Sequence, residues 1–499
     1  MSHNASWIVQ AAQGRQADIL GEYERRGYPV QRVDSLRGAS RLFQQDIFTV
    51  WLPSAVRDVD LHVAGVIGVE GGLSMLYNVN TPGPRFNGPE ALGLPFPRFV
   101  PPSLPPLPNW GPLALWQPLG PDYLAALALQ RLPLAQRSRY GFNTIADAQT
   151  RIHDLLFPSG EAISPLGPLG LGAVVNAPRA ASLAKLEPIL DAIGATEAWR
   201  ENQGEGATVA ILDTGVDPSV IPDSLKAGGF ASTPDGNPWR DDVGHGSMCA
   251  AIVHAVAPKA KIYSVRPSPD DDGHLSAGEI YLAGDHLIGK VLDGAGPFIL
   301  NNSWGIPGCL SSFIPADIIG LRALTRLDEM NLMLSSWAAG NYHAQCGDDS
   351  ISMYGSASSA FALAVGAVGE DLRPQPYSSR GPGVVFPMQP AVCCPTYGTL
   401  PWGSGFRDFG QQGGGTSSCA PQVSGALAIL QTAYPKASNR LLRAAIRAGA
   451  DNGKVGQSGV LYSVYTGFGL LQVDRSLRRM PLANTHPSFA LEAAWPTWR

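Results

Sequence analysis

The sequence predicts an α/β fold: a mostly parallel sheet flanked by helices, with a small α+β unit ahead of it. Three observations carry this expectation. From Leu186 onward, short apolar β-rich runs alternate with helical stretches, the pattern of strand–helix–strand units with helices on both sheet faces. Apolar residues make up 44% of the chain and charged residues only 15%, below the roughly 25% of ordinary domains, which suits a large buried core. The polar, glycine-flanked residues sit where strands end and helices begin, the edge at which open sheets place their sites.

The elements follow in order. Ser6 to Ala11 reads as a strand, Gln16 to Arg26 as a helix, Arg41 to Leu52 as a β-rich return and Ala64 to Glu70 as a short strand, giving a unit over 1–75. Between Pro82 and Pro121 stand 13 prolines, so 76–185 is expected to be an extended linker and exposed spacer. Helical periodicity at Pro121 to Leu132 and Thr144 to Phe157 adds a small element within it. The main domain, 186–480, carries strands at Thr208 to Leu212, Lys261 to Val265, Phe298 to Asn301, Leu332 to Trp337 and Ala362 to Val368. Its helices are expected at His245 to Val256, Ser276 to Leu292, Pro315 to Asn331 and Ser417 to Tyr434, and 481–499 is left as a C-terminal tail. A length of 499 residues favours two or three units over a single core.

Three segments carry chemistry. Ser417 lies in Gly-Gly-Gly-Thr-Ser-Ser-Cys-Ala-Pro (413 to 421) before an apolar helical stretch. The glycines permit close approach of backbone to a ligand, and a helix start offers unpaired N–H groups and a positive dipole end. Such a run is also a common N-cap pattern, so the other two segments decide. Asp213 ends the apolar run Ala207 to Leu212 ahead of a glycine turn, and His245 stands between two glycines before an apolar helix, a poor position for a core residue. Acid, imidazole and hydroxyl in the order Asp, His, Ser is one of the chain orders of nucleophilic serine catalysis.

With these segments in hand, the chain resembles the subtilisin-like serine peptidases over roughly Leu186 to Val473. Asp-Thr-Gly (213 to 215), His-Gly-Ser (245 to 247) and Gly-Thr-Ser-Ser-Cys-Ala-Pro (415 to 421) match the three family signatures. The resemblance implies a subtilisin-like fold and an Asp213–His245–Ser417 triad. It further implies Asn341, in Ala-Ala-Gly-Asn (338 to 341), as oxyanion donor, and Ser303, Trp304 and Gly305 as the segment that binds substrate backbone. Polypeptides are the implied substrates, and 1–75 is expected to act as folding aid and intramolecular inhibitor. Gln422 and Cys419 depart from the family's usual residues without removing a catalytic group. Trp304 is bulkier than its usual counterpart and either narrows a subsite or fills core space. Cys249, one helical turn after His245, matches a free cysteine of proteinase K-like relatives, with an inert buried thiol as its expected chemistry.

The remaining features bound the reading. A formal net charge of -5 gives no electrostatic case for nucleic acid or an anionic membrane, and no apolar stretch is long enough to span a bilayer. The six cysteines lack metal-ligand spacing; Cys309 and Cys346 are candidates for a bridge in an exported protein. No cofactor or catalytic metal is expected. Asp270, Asp271 and Asp272, on the edge segment that pairs with peptide in the family, are either selectors of basic side chains, a solvated loop or calcium ligands. The N-terminus shows no classical signal peptide, which points to a cytoplasmic or non-classically exported protein. A serine endopeptidase is the expected function. The alternatives are a peptide ligase or macrocyclase on the same fold, or a non-catalytic peptide-binding relative.

Overall fold

The computed structural model describes residues 4–53, 58–71, 74–76, 186–232, 236–267, 274–295, 298–304, 332–341, 343–346, 355–381, 388–410 and 413–494, with a few single positions between them. The linker at 77–185, Gly305, Cys309, Asp270 to Asp272 and most of the helix expected at Pro315 to Asn331 lie outside the described residues.

The N-terminal unit is an antiparallel sheet of β1 (Asn4–Ala11), β2 (Arg32–Ser35), β3 (Asp46–Pro53) and β4 (Val66–Gly71), in the order β2-β3-β1-β4. Side chains alternate across a strand, so the two faces separate cleanly. Trp7, Val9, Phe48 and Val50 pack with Ile19 and Tyr23 of α1 (Gln16–Arg25) into a core of their own. Ile8 and Ile47 turn the other way and join a core shared with the main domain. The β-rich return expected over Arg41 to Leu52 is corrected at its start: α2 occupies Arg37–Phe43 before β3 begins at Asp46. Its residue at the N-cap, Leu36, has no side-chain acceptor. Asp285, from the main domain, accepts from Gly38 N at 3.1 Å and Ala39 N at 2.6 Å instead. A cap supplied 246 residues away leaves no trace in the local pattern. Burial raises the Asp285 carboxyl to about 6, against the pull of those N–H donors. A second junction follows, where β5 (Ser74–Leu76) pairs antiparallel with β9 (His274–Ser276).

Among the described residues, the main domain is built on seven parallel strands in the order β13-β12-β11-β10-β6-β8-β7. They are β6 (Thr208–Leu212), β7 (Lys226–Ala231), β8 (Lys261–Arg266), β10 (Phe298–Asn302), β11 (Met333–Ala338), β12 (Leu363–Val368) and β13 (Val392–Pro395). Both faces are covered, which is why the strands read as continuous apolar runs. Val209 and Ile211 of β6 face α3 (His245–Val256) and α5 (Ala420–Ala433), whereas Ala210 and Leu212 face α4 (Ala277–Leu292). β7 escapes the pattern because it is an edge strand carrying Gly228 and Gly229.

The stretch 481–499, read as a tail, instead continues the domain at least to Ala494. After α6 (Asn439–Gly449) and α7 (Val473–Arg479), helix α8 (Pro487–Ala494) inserts Glu492 between two arginines of α6. All three side chains are buried. Arg443 Nε donates to Glu492 Oε1 at 3.1 Å and Arg447 Nη1 to Oε2 at 3.1 Å, while Arg447 Nη2 reaches Ala362 O at 3.2 Å. Removing one member of a buried ion cluster strands the other charges in a low dielectric. Glu492→Gln is therefore expected to lower unfolding free energy by about 3 kcal/mol, read from denaturant midpoints. An unchanged midpoint would show that α8 is not held by this cluster.

Candidate active site

Asp213 follows the last residue of β6, next to the switch where the chain, having built β8 and β7 on one side of β6, crosses to β10 on the other. Its carboxylate is fully buried. Oδ1 accepts from Thr214 N at 2.8 Å and bonds His245 Nδ1 at 2.8 Å. Because the carboxylate accepts this bond, Nδ1 carries the proton and Nε2 is left as the basic nitrogen. His245 opens α3, whose start is fixed by a residue that sequence reasoning passed over. Asp241 Oδ1 accepts from Gly244 N at 2.8 Å and Thr214 Oγ1 at 2.8 Å, and its Oδ2 from Ser247 N at 2.8 Å. An Asp shortly before a glycine-flanked helix start is a capping signal, and it was the available clue. Gly246 fits where no other residue would, since a Cβ there would lie 2.1 Å from Gly215 O.

Ser417 sits in a single 3₁₀ turn, Thr416–Ser418, directly ahead of α5. Its Oγ donates to Ser303 O at 2.9 Å, and its carbonyl accepts from Ser303 Oγ at 2.9 Å. Beneath this pair a buried polar chain runs into the sheet: Asn301 Nδ2 donates to Ser303 Oγ at 3.0 Å, Ser424 Oγ to Asn301 Oδ1 at 3.2 Å, and Ser424 meets Ser336 at 2.6 Å. A satisfied network of this kind fixes side-chain positions sharply. Ser303 is thus engaged with Ser417 itself. Trp304 is buried edge-on against Trp337, with ring centroids 5.0 Å apart, and fills core space beside the sheet.

Asn341 reaches the same loop from the end of β11. Thr416 N and Thr416 Oγ1 both donate to its Oδ1, at 2.9 and 3.0 Å. With the carbonyl oxygen engaged, the amide N–H groups are what the side chain offers to a ligand. Thr416, invisible as a functional residue in the sequence, is the clamp that sets this orientation.

Cys249 lies under the cluster, its Sγ 3.6 Å from Asp213 Oδ2 and 3.7 Å from Ser417 O. Burial, reinforced by the charge of Asp213, pushes the thiol far above the usual cysteine range, so it stays protonated and weakly reactive. Even so, ligand atoms of Asp213, His245 and Cys249 lie within 4.8 Å of one another, and a soft ion such as Hg²⁺ favours such sulfur and imidazole donors. Mercury is expected to block any activity that uses His245, and Cys249→Ala to abolish that sensitivity. Equal inhibition of the variant would move the effect to another thiol, with Cys419 the first candidate.

Comparison with known proteins shows the family and the fold. The subtilase family model matches residues 204–467, more than half of the chain. Mycosin-3 of Mycobacterium tuberculosis is 29% identical over 285 residues, covering 48% of this chain and 61% of its own length. The minor extracellular protease Epr of Bacillus subtilis is 27% identical over 295 residues, covering 57% of this chain and 40% of its own. The chain therefore spans less than two thirds of either relative. Among solved structures, fervidolysin from Fervidobacterium pennivorans, a keratinolytic enzyme related to subtilisin, shares the fold with a TM-score of 0.57 at 18% identity, over 96% of this chain and 61% of that one. No helix of the described residues is long and apolar enough to cross a membrane. The chain belongs to the subtilase family.

Proposed function

We propose that the chain is a serine endopeptidase acting through Asp213, His245 and Ser417 and an acyl-enzyme intermediate. The observation that carries this reading is the buried 2.8 Å bond from His245 Nδ1 to Asp213, in the cluster that Ser417 shares through Cys249. Ser417 Oγ attacks the peptide carbonyl carbon while His245 Nε2 takes the hydroxyl proton. The C–N bond then breaks as Nε2 returns that proton to the departing amine, and water, activated the same way, releases the acid. The negative charge on the tetrahedral oxygen falls to the Asn341 amide and the Ser417 N–H. Ser417 Oγ donates to Ser303 O at 2.9 Å, so productive attack requires the hydroxyl proton to turn from that carbonyl to Nε2.

Latency belongs to the same proposal. The N-terminal unit is joined to α4 by Asp285, by the Arg41–Asp293 pair at 2.9 Å and by the shared core, while β5 adds an antiparallel strand to β9. Strand addition is how extended peptides commonly bind. A chain segment already lying there would occupy substrate's place until cut away.

Three outcomes test the proposal. Ser417→Ala is expected to abolish cleavage of an unfolded protein substrate while leaving thermal stability unchanged, and parental turnover in that variant would refute the assignment. Asn341→Ala is expected to lower kcat about 10²–10³-fold with little change in KM, a magnitude carried over from subtilisin itself. Purified full-length protein should gain activity with time as it is cut between Gly71 and Lys185, and the Ser417→Ala chain should remain whole. Full activity in an uncut chain would refute the latency. Mass analysis of the products separates hydrolysis from amine capture by a ligase and from binding alone.

A further inference from the structure

Between β13 and the Ser417 loop the chain makes a two-stranded excursion, β14 (Thr399–Trp402) and β15 (Gly405–Asp408), that belongs to neither large sheet. Its base is tied to the serine loop: Gly413 N donates to Phe409 O at 3.3 Å, and Thr396 Oγ1 reaches Gly415 O at 3.2 Å. Its tip is tied to the histidine helix, where Gly403 N donates to Gly244 O at 3.1 Å and Trp402 meets the imidazole of His245 edge to face, ring centroids 5.9 Å apart. The hairpin is thus a wall of the site on the histidine side. Against the same indole lies a cation: the Arg407 guanidinium is 5.3 Å from the Trp402 ring centre and 5.1 Å from that of Phe409. Aromatic rings hold a planar guanidinium by its face and leave the N–H fork at its edge to be used. Among the described residues, no hydrogen bond or ion pair engages that fork. The acids close by in the chain are turned away or already taken. Asp408 follows Arg407 in β15 and so points to the opposite face of the strand, where its Oδ1 accepts from Gly410 N at 2.8 Å. Asp242, shortly before His245, accepts from Arg240 Nε at 2.9 Å and Arg266 Nη2 at 3.0 Å.

We propose that Arg407 makes the site select polypeptides that carry a carboxylate side chain within the first three residues after the scissile bond. The proposal rests on the triad reading given above. In that reading His245 hands its proton to the departing amine, so the stretch of substrate that begins with this amine leaves past whatever flanks the imidazole. What flanks it here is the hairpin. An extended chain advances about 3.3–3.6 Å per residue, so two or three residues carry it the length of an indole and the guanidinium stacked on it. A Glu or Asp arriving there meets an unspent fork whose planar geometry matches a carboxylate in two parallel bonds. Trp402 and Phe409 hold the fork before substrate arrives, so less side-chain freedom is lost on binding than for an arginine on a free stem. Arg407 is also half-buried, so its field is less screened than that of a fully exposed cation. A lysine at the same place is repelled.

The test takes the full chain, incubated until its activity is constant, and a quenched-fluorescent peptide that it cleaves at one bond located by mass analysis. Each of the three positions after that bond, and each of the three before it, is then set in turn to Glu, Gln or Lys. At one or more of the three following positions, kcat/KM for Glu is expected to exceed that for Gln about threefold to tenfold at low salt, with Lys below Gln, and the spread to shrink as salt is added. Arg407→Glu should reverse the order of Glu and Lys at that position, and Arg407→Gln should level it. The readout is a ratio of two peptides within one variant, so a partial loss of folded enzyme cancels. Should Arg407→Glu fail to fold, Arg407→Gln carries the test alone, and Arg407→Lys should keep a weaker preference for Glu, having the charge without the fork. A wild type with no preference for Glu after the scissile bond, or a preference unchanged in Arg407→Gln, overturns the proposal while the triad stands. A wild type that cleaves no peptide overturns the triad reading instead.

Discussion

The bond between Asp213 and His245 is the constraint from which the surrounding architecture follows. A carboxylate with no solvent exposure is costly unless its acceptor sites are filled. Here Thr214 N, the imidazole and the neighbouring thiol fill them. To bring a helix start against a strand end at this distance, the backbone has to pass where a side chain would stand. That is why glycine occupies 215 and 246, where a Cβ would be 2.0 Å from Arg240 O and 2.1 Å from Gly215 O, and 244, where φ is 90° and a Cβ would be 2.7 Å from Trp402 Nε1. Asp241 then takes up the N–H groups that the abrupt helix start leaves unpaired.

The sheet holds this arrangement in register from two sides. Along β6, successive residues alternate between the core around α3 and α5 and the core around α4. The first face positions the histidine and serine helices against each other, with Gly425 allowing Val256 to approach within 2.7 Å of where a Cβ would be. The second face is the one the N-terminal unit uses, through Ile8, Leu36, Ala39 and Ile47. One strand thereby links the site to the surface on which its own N-terminal unit rests.

Much of this was legible in the residue order. The parallel strands declare themselves because both faces are apolar, and Asp213, His245 and Ser417 because glycines flank polar groups at strand and helix ends. What escaped depends on partners far away in sequence. Helix α2 is capped by Asp285, and α8 is fixed by Glu492 between Arg443 and Arg447. A local pattern reports propensity and burial, whereas these are tertiary pairings. Trp304, singled out for a substrate subsite or the core, takes a buried place against Trp337 because the interior beside β11 has room for two indoles.

The central claim is that Asp213 and His245 together make Ser417 a nucleophile, and covalent labelling tests it most directly. The protein, after its N-terminal unit is cut away, would be treated with a fluorophosphonate, digested with a second protease and mapped by mass spectrometry. The account predicts a single adduct on Ser417, lost in His245→Ala and strongly slowed in Asp213→Ala, because only the assembled cluster removes the hydroxyl proton. An adduct on another residue, or undiminished labelling of Ser417 in His245→Ala, would contradict it.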